Sequence, residues 1–487
     1  MGSTEKGYEM AKSKYDHLSA DIRREGEAII LPETPAPSGM TYDQAIEAIT
    51  ARRDSEEAKV SVIEWVNGFA PFDAAHAFMV AMERKFGWVN SVPTPGFFSS
   101  PPAYVSVQVG PREADTMQVI LGAFEIPGVT GKLKTHLVNN DKGRGTFVVT
   151  AETKRKYQKT IRDLMTLTRQ IVRDESIYRG KAVKLPMDGD GAVDWNQQIE
   201  FMDTSGVNPA EMVFSDELRE QINVSLFTPI EQTAVCRKLR IPLKRGVLLE
   251  GTYGTGKTLV ASVTAKVCEA HGWTFILIPD ARGLAEAVDF AKRYAPAVVF
   301  CEDIDRQVHG DRSLEMDEIL NTIDGIGAKS TEVMVVLTTN HVELINPAML
   351  RPGRLDAVIS VTPPDAAAAR RLVRIYGRTL IAANDALDGA GEVLAGMIPA
   401  VIREVVERAK LAAIYRAGDA NVQVTDADLV LTAKGMRRHL ALLDRQTNTP
   451  SDAEVLAEKL HAVVGNGTGG TMANILARLE DIHGHVS

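Results

Sequence analysis

Hydrophobic and polar positions follow two different rhythms in the two halves of this chain. In the first ~200 residues the pattern is mixed. Apolar residues recur at helical spacing over 42–51 and 72–86, and shorter alternating runs over 104–109, 117–124 and 146–150 predict strands. Turn signals at Pro111-Arg112 and Asn140-Asp141-Lys142-Gly143 separate them, which together predicts an α+β domain. Residues 154–172 predict an amphipathic helix with Ile161, Leu164, Met165, Thr168, Ile171 and Val172 on one stripe. The Asp- and Gly-rich stretch 187–192 reads as a linker.

From Ile241 the texture becomes short, wholly apolar runs alternating with helical segments, which is the signature of a parallel α/β sheet. Strands are predicted at 246–249, 274–278, 297–300, 333–337 and 357–361. After Pro363-Pro364 the chain is helical again, over 366–380 and 400–416, with a further helix started by the Thr425/Asp428 capping pair. Gly465 to Gly470 predicts a hinge before a last helix. The domains expected are 1–200 (α+β), 201–364 (α/β), 365–445 (a helical lid) and 446–487 (a helical appendage).

Composition narrows the function. The 487 residues carry 55 Lys+Arg against 64 Asp+Glu, and a net charge of −9 disfavours a protein that coats nucleic acid. The basic residues Lys154, Arg155, Lys156, Lys159 and Arg162 offer one local exception, read here as a solvated helix face. No apolar run approaches the ~20 residues needed to span a bilayer, and the start of the chain lacks a signal or myristoylation pattern, so a cytoplasmic protein without membrane contact is expected. Cys236, Cys268 and Cys301 have neither disulfide nor zinc spacing, and His483 and His485 read as tail residues.

One segment carries unmistakable chemistry. Gly251-Thr252-Tyr253-Gly254-Thr255-Gly256-Lys257-Thr258 fits G-x-x-x-x-G-K-[ST] between a buried strand and a helix that begins at Leu259. Such a loop wraps phosphates with backbone N–H groups, places Lys257 on the β/γ-phosphates of ATP and gives Mg²⁺ the Thr258 hydroxyl. The strand at 297–300 ends in Cys301-Glu302-Asp303, supplying one acid for the Mg²⁺ side and one to orient water. Cys301 reads as core. The strand at 333–337 leads to Thr338-Thr339-Asn340, where an amide can meet the γ-phosphate.

Asn346-Pro347-Ala348-Met349-Leu350-Arg351-Pro352-Gly353-Arg354-Leu355-Asp356 completes a set that resembles the AAA clade of the AAA+ ATPases. The resemblance spans about 246–416 and implies a P-loop NTPase core with a helical lid, assembled as a ring of six or seven copies with ATP between neighbours. It implies that Asn340 is a sensor and Arg354 an arginine finger acting on the adjacent subunit, with Arg351 a possible helper. Ala400 matches a lid alanine, although Pro399 replaces the usual glycine. Three departures stand out. The acids are reversed, so Glu302 takes the Mg²⁺ side and Asp303 the water; Ala357 replaces a common second finger; and the 18 residues between Ile278 and Ala297 are fewer than in peptide-threading members. Phe290 and Tyr294 in that stretch follow a helical pattern, so no pore paddle is expected. These features are most similar to the branch of the mitochondrial Rieske-protein translocase, here without a membrane anchor. The expected activity is Mg²⁺-dependent ATP hydrolysis coupled to moving or remodelling a protein partner. The alternatives are a DNA- or RNA-directed motor and a nucleotide-gated scaffold that hydrolyses slowly.

Overall fold

The computed structural model describes residues 23–25, 28–30, 41–88, 90–93, 100–139, 145–307, 332–345, 354–417 and 422–447. The turn at 140–143, Arg351, the Gly465 hinge, the appendage beyond residue 447 and both tail histidines lie outside these. The chain divides into two compact units between Pro363 and Pro364.

The first unit opens with a short hairpin, β1 (Arg23–Glu25) and β2 (Ala28–Ile30). Helix α1 (Tyr42–Glu57) starts at a capping box in which the Thr41 hydroxyl accepts from Gln44 N–H and the Gln44 side chain accepts from Thr41 N–H. Then come β3 (Lys59–Val66) and α2 (Pro71–Phe86), the latter begun by Pro71 and closed by Gly87. Strands β4 (Asn90–Ser91), β5 (Tyr104–Gln108), β6 (Thr116–Ile120), β7 (Ala123–Glu125), β8 (Gly131–Asn139) and β9 (Gly145–Lys154) follow. An antiparallel sheet of order β3-β9-β8-β7-β4 holds five of them, and β5 pairs with β6. The single strand expected at 117–124 is two strands that serve different sheets, with Gly122 between them bonded through its N–H to the Thr135 hydroxyl. Helix α3 (Gln158–Asp174) buries the six predicted stripe residues against this sheet and α2.

The second sheet begins earlier than the sequence suggests. β10 (Ala182–Lys184) and β11 (Glu200–Phe201) belong to it, so the boundary expected at residue 200 falls inside the sheet. The stretch read as a linker is a tight turn between these two strands: the Asp188 carboxylate accepts from Asp190 and Ala192 N–H, both at 2.9 Å. Strands of two and three residues are too short to leave a periodic signal. Short helices α4 (Asp216–Ile222), α5 (Thr228–Glu231) and α6 (Thr233–Leu239) lead to β12 (Arg245–Glu250), α7 (Lys257–Ala270), β13 (Thr274–Ile278), α8 (Leu284–Arg293), β14 (Ala297–Cys301), β15 (Val333–Thr339) and β16 (Ala357–Ser360). The order is β11-β10-β13-β14-β15-β12-β16, parallel except for β11. β14 and β15 are buried at every position, as strands covered on both faces must be. One face shares a continuous core with the N-terminal sheet, joining Phe78, Ile161, Phe290 and Val299; the other packs under α4 to α7.

The second unit comprises α9 (Ala366–Gly377), α10 (Asp388–Leu394), α11 (Pro399–Ala417) and α12 (Asp426–Thr447). Thr425 and Asp428 form the predicted capping pair, and Arg416 forms an ion pair with the Asp428 carboxylate. No helix among the described residues is long and apolar enough to cross a membrane.

Candidate active site

The C-terminal ends of β12, β14 and β15 converge on one polar cluster. The loop after β12 reaches α7 through Gly254 and Gly256, whose φ angles of 78° and 110° residues with a Cβ rarely adopt. The Thr255 hydroxyl bonds back to the Thr252 carbonyl at 2.9 Å, which keeps the loop closed on itself. Tyr253 at its tip is exposed, Thr258 is exposed on the first turn of α7, and Leu259 follows half-buried. Phe214 is buried and packs beside Gly256, a contact that sequence reasoning missed because nothing links the two positions along the chain.

Lys257 is the hub. It is 8% exposed, and its ammonium donates to the Gly251 and Thr252 carbonyls and, at 2.7 Å, to Asn340 Oδ1. Burial pulls its pKa below the usual lysine range, while the charges of Asp303, Asp305 and Glu250 pull it back up. Asn340 Nδ2 in turn donates to Asp303 Oδ1 at 3.1 Å. Thus the three residues expected to act together are connected in series, lysine to amide to carboxylate.

Asp303 sits at φ +48°, a left-handed conformation that aspartate tolerates and most residues avoid. Its N–H is held by the Thr338 hydroxyl at 2.9 Å. Asp305, 4% exposed, accepts from the Thr339 hydroxyl and from Asn340 N–H at 3.0 Å. Burial raises the Asp305 pKa, but these bonds outweigh it and hold the carboxyl below the ordinary aspartate range. Asp305, Thr338 and Thr339 therefore set the backbone on which Asp303 and Asn340 ride. The only sequence signal for them was polar residues at the end of an otherwise apolar strand. Glu302 is half-buried directly after β14, its N–H bonded to the Ile278 carbonyl.

Arg354 lies elsewhere. The Asp356 N–H bonds the Gly246 carbonyl at 2.7 Å and the Asp356 carboxylate accepts from Gly246 N–H, while a Cβ on Gly246 would strike the Arg354 carbonyl at 2.0 Å. The Arg354 backbone is thereby pinned to the start of β12, whereas the phosphate loop leaves its end, roughly 15 Å of strand away at ~3.3 Å per residue.

Phe290 and Tyr294 are 3% and 0% exposed and stack at 4.2 Å between ring centroids, with Tyr178 edge-on to Tyr294. They are core residues, as their helical spacing predicts. Cys301 is fully buried, with its thiol pKa pushed up by that burial, as a core filler should be. No cluster of three or more His, Cys, Asp or Glu suited to a metal occurs among the described residues.

Residues 247–363 match the family described as ATPase family associated with various cellular activities (AAA). Over 289 residues the chain is 32% identical to the ATP-dependent zinc metalloprotease FtsH 2 of Sphaerobacter thermophilus, covering 55% of this chain and 42% of that protein. It is 29% identical to the 26S proteasome regulatory subunit 8 homolog of Schizosaccharomyces pombe, covering 44% of this chain and 56% of that one. The chain thus spans about half the length of these relatives. Sheet order, phosphate loop and family match agree: the α/β part of this chain is a P-loop fold of the AAA type.

Proposed function

We propose that this protein is an ATP hydrolase that works as a ring of identical subunits to move or remodel a protein partner. The observation that carries the reading is the Lys257–Asn340–Asp303 series, which joins the phosphate loop to two neighbouring strands at the mouth of the sheet. The residues fit ATP with Mg²⁺. Gly251 through Leu259 supply the phosphate cradle, and the Lys257 ammonium rests on carbonyl oxygens that a phosphate oxygen outcompetes. Thr258 and Glu302 are the residues that would hold Mg²⁺, which when bound neutralises developing phosphate charge. Asp303 accepts the proton of the attacking water, and Asn340 orients that water while bonded to Asp303.

Arg354 is assigned to the neighbouring subunit's ATP, because the start of β12 is the wrong end of the strand for its own. Ring assembly and a subunit number of six or seven rest on the resemblance; the cytoplasmic setting rests on the sequence, whose three cysteines lack disulfide spacing. The relatives' names, a metalloprotease and a proteasome subunit, support a protein as the object of the work. The burial of Phe290 and Tyr294 favours a non-threading branch like that of the Rieske-protein translocase. A nucleic-acid motor finds less support: Lys154 and Lys156 are spent on Glu57 and Lys159 on Asp163. The test is Lys257→Ala. Truncating one partner of a buried charge pair across a binding interface costs about 2–5 kcal/mol of binding, so without the ammonium that faces the phosphates ATP binding should weaken by roughly thirtyfold or more in calorimetry. Unchanged affinity would remove the site assignment.

A further inference from the structure

Among the described residues, β3 is a sheet edge that no further strand covers. It pairs with β9 alone, and no other strand adjoins it among the described residues. The Ala58 carbonyl accepts from Arg155 N–H on the β9 side, so by the two-residue period the backbone groups of Val60, Val62 and Glu64 face β9. Those of Lys59, Ser61, Ile63 and Trp65 face outward. The Trp65 carbonyl confirms this parity, for it is taken by the Arg169 guanidinium at 2.8 Å.

Proteins usually blunt such an edge with proline, a bulge or repeated charge. This one runs eight residues with neither proline nor bulge, and exposes Ile63 at 55% and Trp65 at 39%. A groove of about 360 Å³ opens beside it, lined by Ile63, Glu64, Trp65, Phe69, Arg169 and Arg173. The charge there is unbalanced. Arg162 and Arg169 share Glu64 as counter-ion, and Arg173 is exposed with no ion pair among the described residues.

We propose that the outer edge of β3 is a docking site for an extended, acidic segment of a protein partner, which adds as a further strand. Its main chain pairs with Lys59, Ser61 and Ile63; its apolar side chains cover Ile63 and Trp65; its carboxylates meet Arg169 and Arg173. This deepens the function proposed above, on whose protein partner it rests.

The probe is a fluorescein-labelled peptide of about ten residues alternating valine and glutamate, bound to the full chain. Controls are the same peptide N-methylated at alternate amides, a version with lysine for glutamate, and a single-stranded oligonucleotide of equal charge. Hydrogen exchange should slow at the amides of Lys59, Ser61 and Ile63 and stay unchanged at Val60, Val62 and Glu64. N-methylation should abolish binding, and charge reversal or Arg173→Glu should weaken it about fivefold. Ser61→Pro removes one outward donor without touching the β9 ladder, and should weaken binding while leaving the fold intact. Binding indifferent to N-methylation and to Arg173→Glu, or equal affinity for the oligonucleotide, would overturn the proposal. ATP turnover measured on the same samples separates the two readings. No peptide binding with turnover intact sinks the docking site alone; lost turnover with peptide bound sinks the motor.

Discussion

Two polar networks lie at opposite ends of β14, and they are built to different ends. Two residues beyond the strand, Asp303 joins Asn340 and Lys257 in a cluster open to solvent at the loop tip, where Tyr253 and Thr258 are exposed. Three residues before it, Tyr294 accepts from Ala70 N–H and donates to Asp73, which also receives the Ser176 hydroxyl and Ile177 N–H. Both Asp73 and Tyr294 are wholly buried, and burial lifts the Asp73 carboxyl to about 6 against the bonds that favour its charge. The same strand thus carries a network whose lysine is held by bonds that a ligand can replace, and another that no ligand reaches. The first suits chemistry; the second fastens the start of α2 and the segment after α3 to the end of α8.

The contrast predicts that changes at the first network alter turnover and leave stability alone, and that changes at the second do the reverse. The largest effect on turnover is expected from a residue outside both networks, in Arg354→Ala. Turnover should fall on the order of 10³-fold or more with ATP affinity preserved, the scale seen when an arginine finger is lost. Mixing this variant with Lys257→Ala should restore part of the activity, because an intact loop then meets an intact finger. No recovery in assemblies shown to be mixed would place Arg354 outside the neighbour's site.

A smaller effect, on a different observable, is expected at the other end of the strand. Tyr294→Phe leaves the Ala70 N–H unpaired and takes one bond from Asp73, which should cost about 1–3 kcal/mol in urea unfolding. ATP binding should be unchanged. A variant as stable as the parent, or one that loses ATP affinity, would dissolve the distinction between the two networks.

The two networks were unequally legible. The phosphate loop is local, eight consecutive residues between a strand and a helix, so its chemistry can be read without a fold. β12 to β16 were legible within a residue or two; for β12 to β15 this is because strands buried on both faces appear as unbroken apolar runs, whereas the edge strand β16, half-exposed, was marked only by its short apolar run. The seam was invisible, because Asp73 and Tyr294 are 221 positions apart and a lone aspartate at a helix start reads as an ordinary N-terminal acid. Asp305 was hidden for a related reason: only the fold shows that it holds the Asn340 backbone rather than a metal. The edge of β3 was likewise unreadable, since sequence periodicity shows which residues face the core but not which strand lies outermost.

If the reversed acids keep their positional roles, Asp303 takes the proton of the attacking water. Single-turnover hydrolysis by Asp303→Asn and Glu302→Gln, each saturated with ATP and Mg²⁺, tests it most directly. Asp303→Asn should bind ATP normally and lose the chemical step by about 10²-fold or more, the usual scale for general base catalysis. Glu302→Gln should hydrolyse at a substantial rate once enough Mg²⁺ is supplied. The opposite pattern, hydrolysis surviving in Asp303→Asn and vanishing in Glu302→Gln at any Mg²⁺ concentration, would contradict it.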